Sequence, residues 1–169
     1  MDQFLNFEVV NFPEIEKINF KKVHKNYLKV ILINFFCFSV VLISISVFLI
    51  QKIVEKEVLE YSIYLYSFLI LGILSYTIIL ILGFRKRKYA VRDKDISYKS
   101  GLLLKKTTTV PFSRIQHLEI NERMFSRLFK LASLSVYTAG DSSDDLEIKG
   151  IEKKTAIQIK EFISSRING

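Results

Sequence analysis

Few side chains in this sequence could do chemistry by type and spacing. There are two histidines, His24 and His117. His117 lies two residues before Glu119, so on an extended strand both project from one face and could hold a metal ion. No third ligand stands at a recognisable spacing, and a solvated strand face is the plainer use of the pair. Asp141, Asp144 and Asp145 put three carboxylates within five residues. That run lacks the glycine and distal glutamate of a calcium loop and reads as a polar hairpin turn. The single cysteine, Cys37, lies in an apolar stretch, which excludes an internal disulfide framework and a cysteine-rich metal site. The sequence has no glycine-rich phosphate loop, no Gly-x-Ser-x-Gly elbow and no cysteine with a histidine partner in its C-terminal part. These residues assign no catalytic group, no metal, no cofactor and no small-molecule substrate, and the expectation is a non-enzymatic protein.

The basic residues say more. The chain has 25 Lys plus Arg against 17 Asp plus Glu, a net charge of +8, and residues 85–169 alone hold 18 basic against 10 acidic side chains, the whole of the excess. Arg85, Lys86, Arg87 and Lys88 follow directly on an apolar block. They either fix membrane topology or attract anionic head groups, each cation near such a surface contributing about 1 kcal/mol. Arg114, Gln116, Arg123 and Arg127 fall in a segment of short strands. There they serve either as internal hydrogen-bonding devices at a strand bend or as contacts for a partner. Arg123, Arg127 and Lys130 also lie opposite the apolar side of a short helical piece over 123–129. That piece could lie against lipid, although covering the domain is the simpler use of Met124 and Leu128. The positive charge gathers beside a bilayer and no aromatic-basic stacking motif stands out, so nucleic acid is not an expected partner.

The elements that position these residues follow from the apolar pattern. Half of the 169 residues are apolar, and they concentrate in two charge-free blocks, 30–50 and 61–84. At about 1.5 Å per residue, either block reaches the roughly 30 Å of a bilayer's hydrocarbon. The expectation is a two-helix transmembrane hairpin over 30–84, with an N-terminal segment over 1–29 and a domain over 85–169. Lys17, Lys21, Lys22, Lys25 and Lys29 flank the first block and Arg85, Lys86, Arg87 and Lys88 the second, whereas the connection 51–60 has two Lys against three Glu. Both termini are therefore expected on the cytoplasmic side of the plasma (inner) membrane of a multi-pass protein. Tyr27, Tyr61, Tyr64, Tyr66 and Tyr89 suit interfacial aromatic belts. Ser39, Ser44, Ser46, Ser75 and Gly72 offer small surfaces for helix packing, although serines can instead bond to their own helix backbone.

From Arg85 onward the pattern alternates, as half-buried strands do. Tyr89 and Val91 share one face, and Ile96 and Tyr98 the next, with a hairpin turn over 92–95. Ser100 and Gly101 make a second turn into a strand over 102–110 that Pro111 ends. Strands follow over 117–121 and 134–138 and around Leu146 and Ile148. A closing helix over 152–167 repeats Ala156, Ile159, Ile163 and Ile167 at helical spacing. The expected class is α+β: an apolar helical hairpin, then a small β-barrel or sandwich plugged by a C-terminal helix.

Several segments then carry a resemblance. Ser100-Gly101-Leu102-Leu103, Val110-Pro111-Phe112-Ser113-Arg114-Ile115-Gln116, Arg127-Leu128-Phe129-Lys130-Leu131-Ala132 and Val136-Tyr137-Thr138-Ala139-Gly140, in this order and spacing, resemble the bacterial pleckstrin-homology domain family of the YdbS type. Two spans followed by one such domain is also the layout of that family's short members. The family usually has glycine where Lys130 stands, so a turn there must be made by a residue with a Cβ. The resemblance implies a pleckstrin-homology-like fold and a docking module for membrane-protein assembly. It further implies partners that are membrane proteins, among them a larger relative with tandem domains, and a part in envelope maintenance. A module sensing anionic lipid head groups is the alternative, with membrane lipids as partners. In eukaryotic relatives of the fold the first hairpin turn binds phosphoinositides through paired basic residues. Here that turn has Arg92 and Lys94 diluted by Asp93 and Asp95, so that recognition does not carry over.

Overall fold

The structure is a computed structural model that describes residues 18–53, 61–138 and 146–167. The connection expected outside the membrane, over most of its length, and the acidic turn at Asp141, Asp144 and Asp145 lie outside the described residues.

The two apolar blocks form α1 (Asn26–Ile53) and α2 (Ser62–Arg85). With no proline to remove a donor, each helix satisfies its backbone internally while its side chains face outward. Both are long and apolar enough to cross a membrane. They are neighbours, joined by the Phe35 and Tyr76 rings with centroids 5.0 Å apart. The small residues do not bring them closer. Ser39, Ser44, Ser46, Ser67, Ser75 and Thr77 each donate to a carbonyl three or four residues back in their own helix. A Cβ built on Gly72 would meet nothing within 4 Å, and Gly72 lines a cleft of about 500 Å³ with Phe38, Leu42 and Leu69. A hydroxyl on a helix reaches its own carbonyl without help, so it needs no partner across the pair.

Two antiparallel sheets follow. One has the order β1 (Lys21–Lys22), β2 (Lys88–Val91), β3 (Asp95–Ser100), β4 (Lys106–Pro111), and the other β5 (Ile115–Asn121), β6 (Leu131–Thr138), β7 (Leu146–Glu152). A short helix α3 (Met124–Leu128) joins β5 to β6, and α4 (Lys153–Ile167) closes the domain. Ile96, Leu131, Leu134, Val136, Ile148, Ile151 and Ile163 are fully buried. Ala156, Ile159 and Ile163 of α4 reach this core at the expected spacing, whereas Ile167 in its last turn is exposed.

Four local features differ from the sequence reading or add to it. The first strand of the larger sheet comes from before the first apolar helix: Lys21 pairs with Tyr89 and Lys22 with Lys88. Val23 and Tyr27, and Val30 just after them, join the core cluster, so the N-terminal segment over 1–29 contributes a strand and two core side chains. The strand expected over 102–110 begins only at Lys106, because Gly101 at φ +98 turns the chain out of the extended region and leaves 101–105 as a loop. In α3 the pair expected to cover the domain, Met124 and Leu128, is 71% and 73% exposed, while Phe125 and Phe129 pack on the core. A five-residue helix cannot bury four apolar side chains at 124, 125, 128 and 129, and the larger rings take the inner face. Lys130 has φ +56, the left-handed turn expected of a residue standing where glycine is usual.

Candidate functional site: a basic pocket between helix and sheet

The side chains with the clearest capacity to bind lie where α2 passes into β2. Lys86 caps α2, its N–H donating to the Gly83 carbonyl at 3.2 Å, and the Arg87 N–H donates to Phe84 at 3.1 Å. Cations at this end meet the negative pole of the helix. The β1–β2 pairing then brings in lysines some sixty residues earlier in sequence. Lys22, Lys25, Arg85 and Arg87 line one pocket of about 440 Å³, with Val23 and Phe84 as its apolar wall.

Its electrostatics are one-sided. Lys22 is opposite Lys88 and Lys88 opposite Lys99, a row of three ammonium groups across three strands. Like charges so placed repel. The Lys99 ammonium is 4.1 Å from the Phe20 ring centroid. The Arg87 guanidinium lies over Tyr27 at 5.6 Å and donates to its hydroxyl at 3.3 Å, so it is held in place by a neutral group. Among the described residues, no carboxylate lies within ion-pairing distance of Lys22, Lys25, Arg85, Arg87 or Lys88. Tyr98, on the neighbouring strand, has its hydroxyl pKa raised by burial, against the pull of Arg87.

A second concavity, of about 620 Å³, gathers His24, Glu122, Arg127, Lys130, Glu152, Lys153 and Lys154. Two carboxylates offset part of its charge: Glu152 lies 3.3 Å from His24 Nε2 and Glu122 2.7 Å from Lys153 Nζ. Burial, then Glu152, raises the Tyr89 hydroxyl.

Of the residues singled out in the sequence, Arg85 and Arg87 line the basic pocket, Lys86 and Lys88 flank it, and Arg127 and Lys130 line the second concavity. Arg114, Gln116 and Arg123 join neither. Arg114 is exposed at the end of a turn over Phe112–Arg114. Gln116 is the extra residue where the β5–β6 register shifts between Ile115 and His117, and it too is exposed. Arg123 is 3.7 Å from Glu147. His117 stacks on Tyr137 at 4.2 Å and is 3.8 Å from Glu119, which accepts from the Tyr137 hydroxyl at 3.1 Å; the pair lies on a solvated strand face. In the first hairpin turn Arg92 donates to both carboxylate oxygens of Asp95, at 2.7 Å to the first, which occupies the guanidinium and raises its pKa. Sequence reasoning missed Lys22, Lys25 and Lys99 as parts of a site. Lys22 and Lys25 stood out only as charges flanking an apolar block, and a two-residue strand leaves no periodic signal.

Comparison with curated proteins gives no match. Among solved structures, a DUF1696 family protein with a pleckstrin-homology domain from Shewanella loihica is similar at 15% identity and a TM-score of 0.38, over 48% of this chain and 70% of that one. The bacterial PH domain family matches residues 30–167, from inside α1 to the end of α4. With two apolar helices, two antiparallel sheets and a closing helix within that span, the chain belongs to the bacterial PH domain family.

Proposed function

We propose that the chain is a non-enzymatic, double-spanning protein of the inner membrane that holds its PH domain against the cytoplasmic leaflet and binds anionic lipid head groups at the junction of α2 and β2. The observation that carries this reading is the convergence of Lys22, Lys25, Arg85 and Arg87 on one pocket whose charge no carboxylate among the described residues offsets. A phosphate diester supplies what that pocket lacks, and guanidinium groups can take its oxygens two at a time. The pocket adjoins the end of a helix long enough to span, at the depth where head groups lie. The placement of both termini in the cytoplasm follows from the flanking lysines and arginines; a periplasm-dependent reporter active on the C-terminus would contradict it.

Native mass spectrometry of the full chain in mild detergent, offered anionic and zwitterionic lipids in equal amounts, tests the binding. Retention of the anionic lipid, abolished in the K22A/K25A/R85A variant, is the expected outcome. Equal retention of both lipids, or retention unchanged in the variant, removes the reading. Each cation near an anionic surface contributes about 1 kcal/mol, so the triple variant loses on the order of a hundred-fold in affinity.

A second reading is favoured by β4. It is the outer strand of its sheet, and an open strand edge can accept a strand from another protein. The domain would then dock a membrane protein, such as a larger relative with tandem domains. Proline at 108, where Thr108 now stands, would reduce partner recovery in a pull-down under this reading and leave lipid retention untouched.

A further inference from the structure

We infer that the β3–β4 loop is a wedge that inserts into the lipid leaflet, with Leu103 and Leu104 among the acyl chains and Lys105 and Lys106 at the head groups. The inference rests on the membrane reading above and adds a second point of attachment, remote in sequence from the spans. Leu103 and Leu104 are 88% and 87% exposed, more than any other large apolar side chain of the described residues, the lipid-length helices included. Two adjacent leucines exposed together form an apolar patch of the kind that marks a contact surface.

The loop's place in the fold identifies what covers them. β2 begins three residues after α2 ends, and Lys88 pairs with Lys99 while Ser100 pairs with Lys106. Both ends of the loop therefore lie at the start of β2, beside the last turn of α2. A Cβ built on Gly83 would stand 4.0 Å from the Leu102 Cβ, so the loop abuts the helix itself. Its apolar tip continues the outward-facing surface of α2, and the two lysines after it match the row of cations around the pocket. Long basic side chains at such a boundary bury their stems and keep the charge among head groups.

The loop also has a built shape. Gly101 at φ +98 lets the chain reverse so tightly that a Cβ there would fall 1.8 Å from the Leu104 carbonyl oxygen. Only glycine accommodates that approach, and it aims 102–104 away from the sheet.

The test uses the full chain reconstituted in vesicles, in a C37S background, with an environment-sensitive fluorophore on Leu104→Cys. Leu74→Cys in α2 serves as the lipid reference and Asp93→Cys, in the turn at the far end of β2, as the water reference. All three positions are exposed, so labelling leaves the core intact. Nitroxide-bearing lipids are expected to quench the probe at 104 several-fold more than that at 93, with emission blue-shifted towards that at 74. If 74 is quenched and 104 behaves like 93, the wedge is wrong and the membrane reading stands. If 74 also reads water, both fall.

Discussion

The two concavities beside the start of α1 are built from the same segment, yet they differ in what they leave over. Around His24, Arg127, Lys130, Lys153 and Lys154 two carboxylates, Glu122 and Glu152, offset part of the positive charge within the protein. Around Lys22, Lys25, Arg85 and Arg87 the wall is apolar, Val23 and Phe84, the Tyr27 hydroxyl that Arg87 meets is neutral, and among the described residues no carboxylate offsets the charge. Cations in a pocket therefore do not by themselves mark a binding site; what marks one is positive charge without its complement, held where an anion is present.

The strongest way to break the comparison is to displace the segment over 22–26 on which both pockets draw. Gly150 has φ +77, and a Cβ there would lie 2.1 Å from Tyr27 Cγ, while its carbonyl accepts from the His24 N–H at 2.8 Å. Gly150→Ala should displace residues 23–27 at a cost of about 3 kcal/mol, the sum of left-handed backbone strain and overpacking. Thermal unfolding of the detergent-solubilised chain measures this, and lipid retention should fall with it. Retention unchanged at a lowered melting temperature would show that the basic pocket does not need the N-terminal segment.

The next effect separates the pockets. K22A/K25A/R85A should lower anionic-lipid retention on the order of a hundred-fold, at about 1 kcal/mol per cation, whereas R127A/K154A should change it less than a few-fold. Competitive retention in native mass spectrometry reads both, and equal losses would erase the distinction.

A smaller effect sits at the rim of the second concavity. Lys130 carries its Cβ at φ +56, a conformation costing about 1–2 kcal/mol for a non-glycine residue. Lys130→Gly relieves that and gives back part through chain entropy, for a net gain of about 0.5–1 kcal/mol. Chemical denaturation should register the gain while lipid retention stays level.

The smallest effect concerns two tyrosines that feel charges of opposite sign, one from each pocket. Both hydroxyls titrate above their ordinary value of about 10, Tyr89 through burial and Glu152 and Tyr98 through burial against Arg87. The folded state favours the neutral phenol, so the stability they contribute is complete below pH about 10 and is lost as pH rises through the folded values. In absorbance titration, Glu152→Gln should move the Tyr89 transition down and Arg87→Gln should move the Tyr98 transition up. Shifts of one sign in both variants would contradict the assignment of each tyrosine to its charged neighbour.

The presence of strands from Lys88 onward was legible from their short apolar runs between turns, and the closing helix from the spacing of Ala156, Ile159 and Ile163; alternation did not report burial, since Leu131 to Val136 are buried without a break. Arg85 and Arg87 were legible as candidates because they cluster in sequence. Lys22 and Lys25 were not, since their membership depends on a two-residue pairing across two intervening helices. Met124 and Leu128 were misread because position on a helix ranks the apolar side chains only when the helix is longer than its apolar run.

The amino-acid sequence by itself determined the charge-free blocks, the basic excess beside them, the succession of strands after Arg85 and the membership of a known family, because these are properties of composition and period along the chain. Tertiary structure alone decided that the PH domain takes its first strand from before the helical pair, that four cations from two segments share a pocket, and that Leu103 and Leu104 stand beside the end of α2. Those outcomes depend on which surfaces meet, and the free energy of meeting is set by packing and by unpaired charge across the fold, where no local pattern records it.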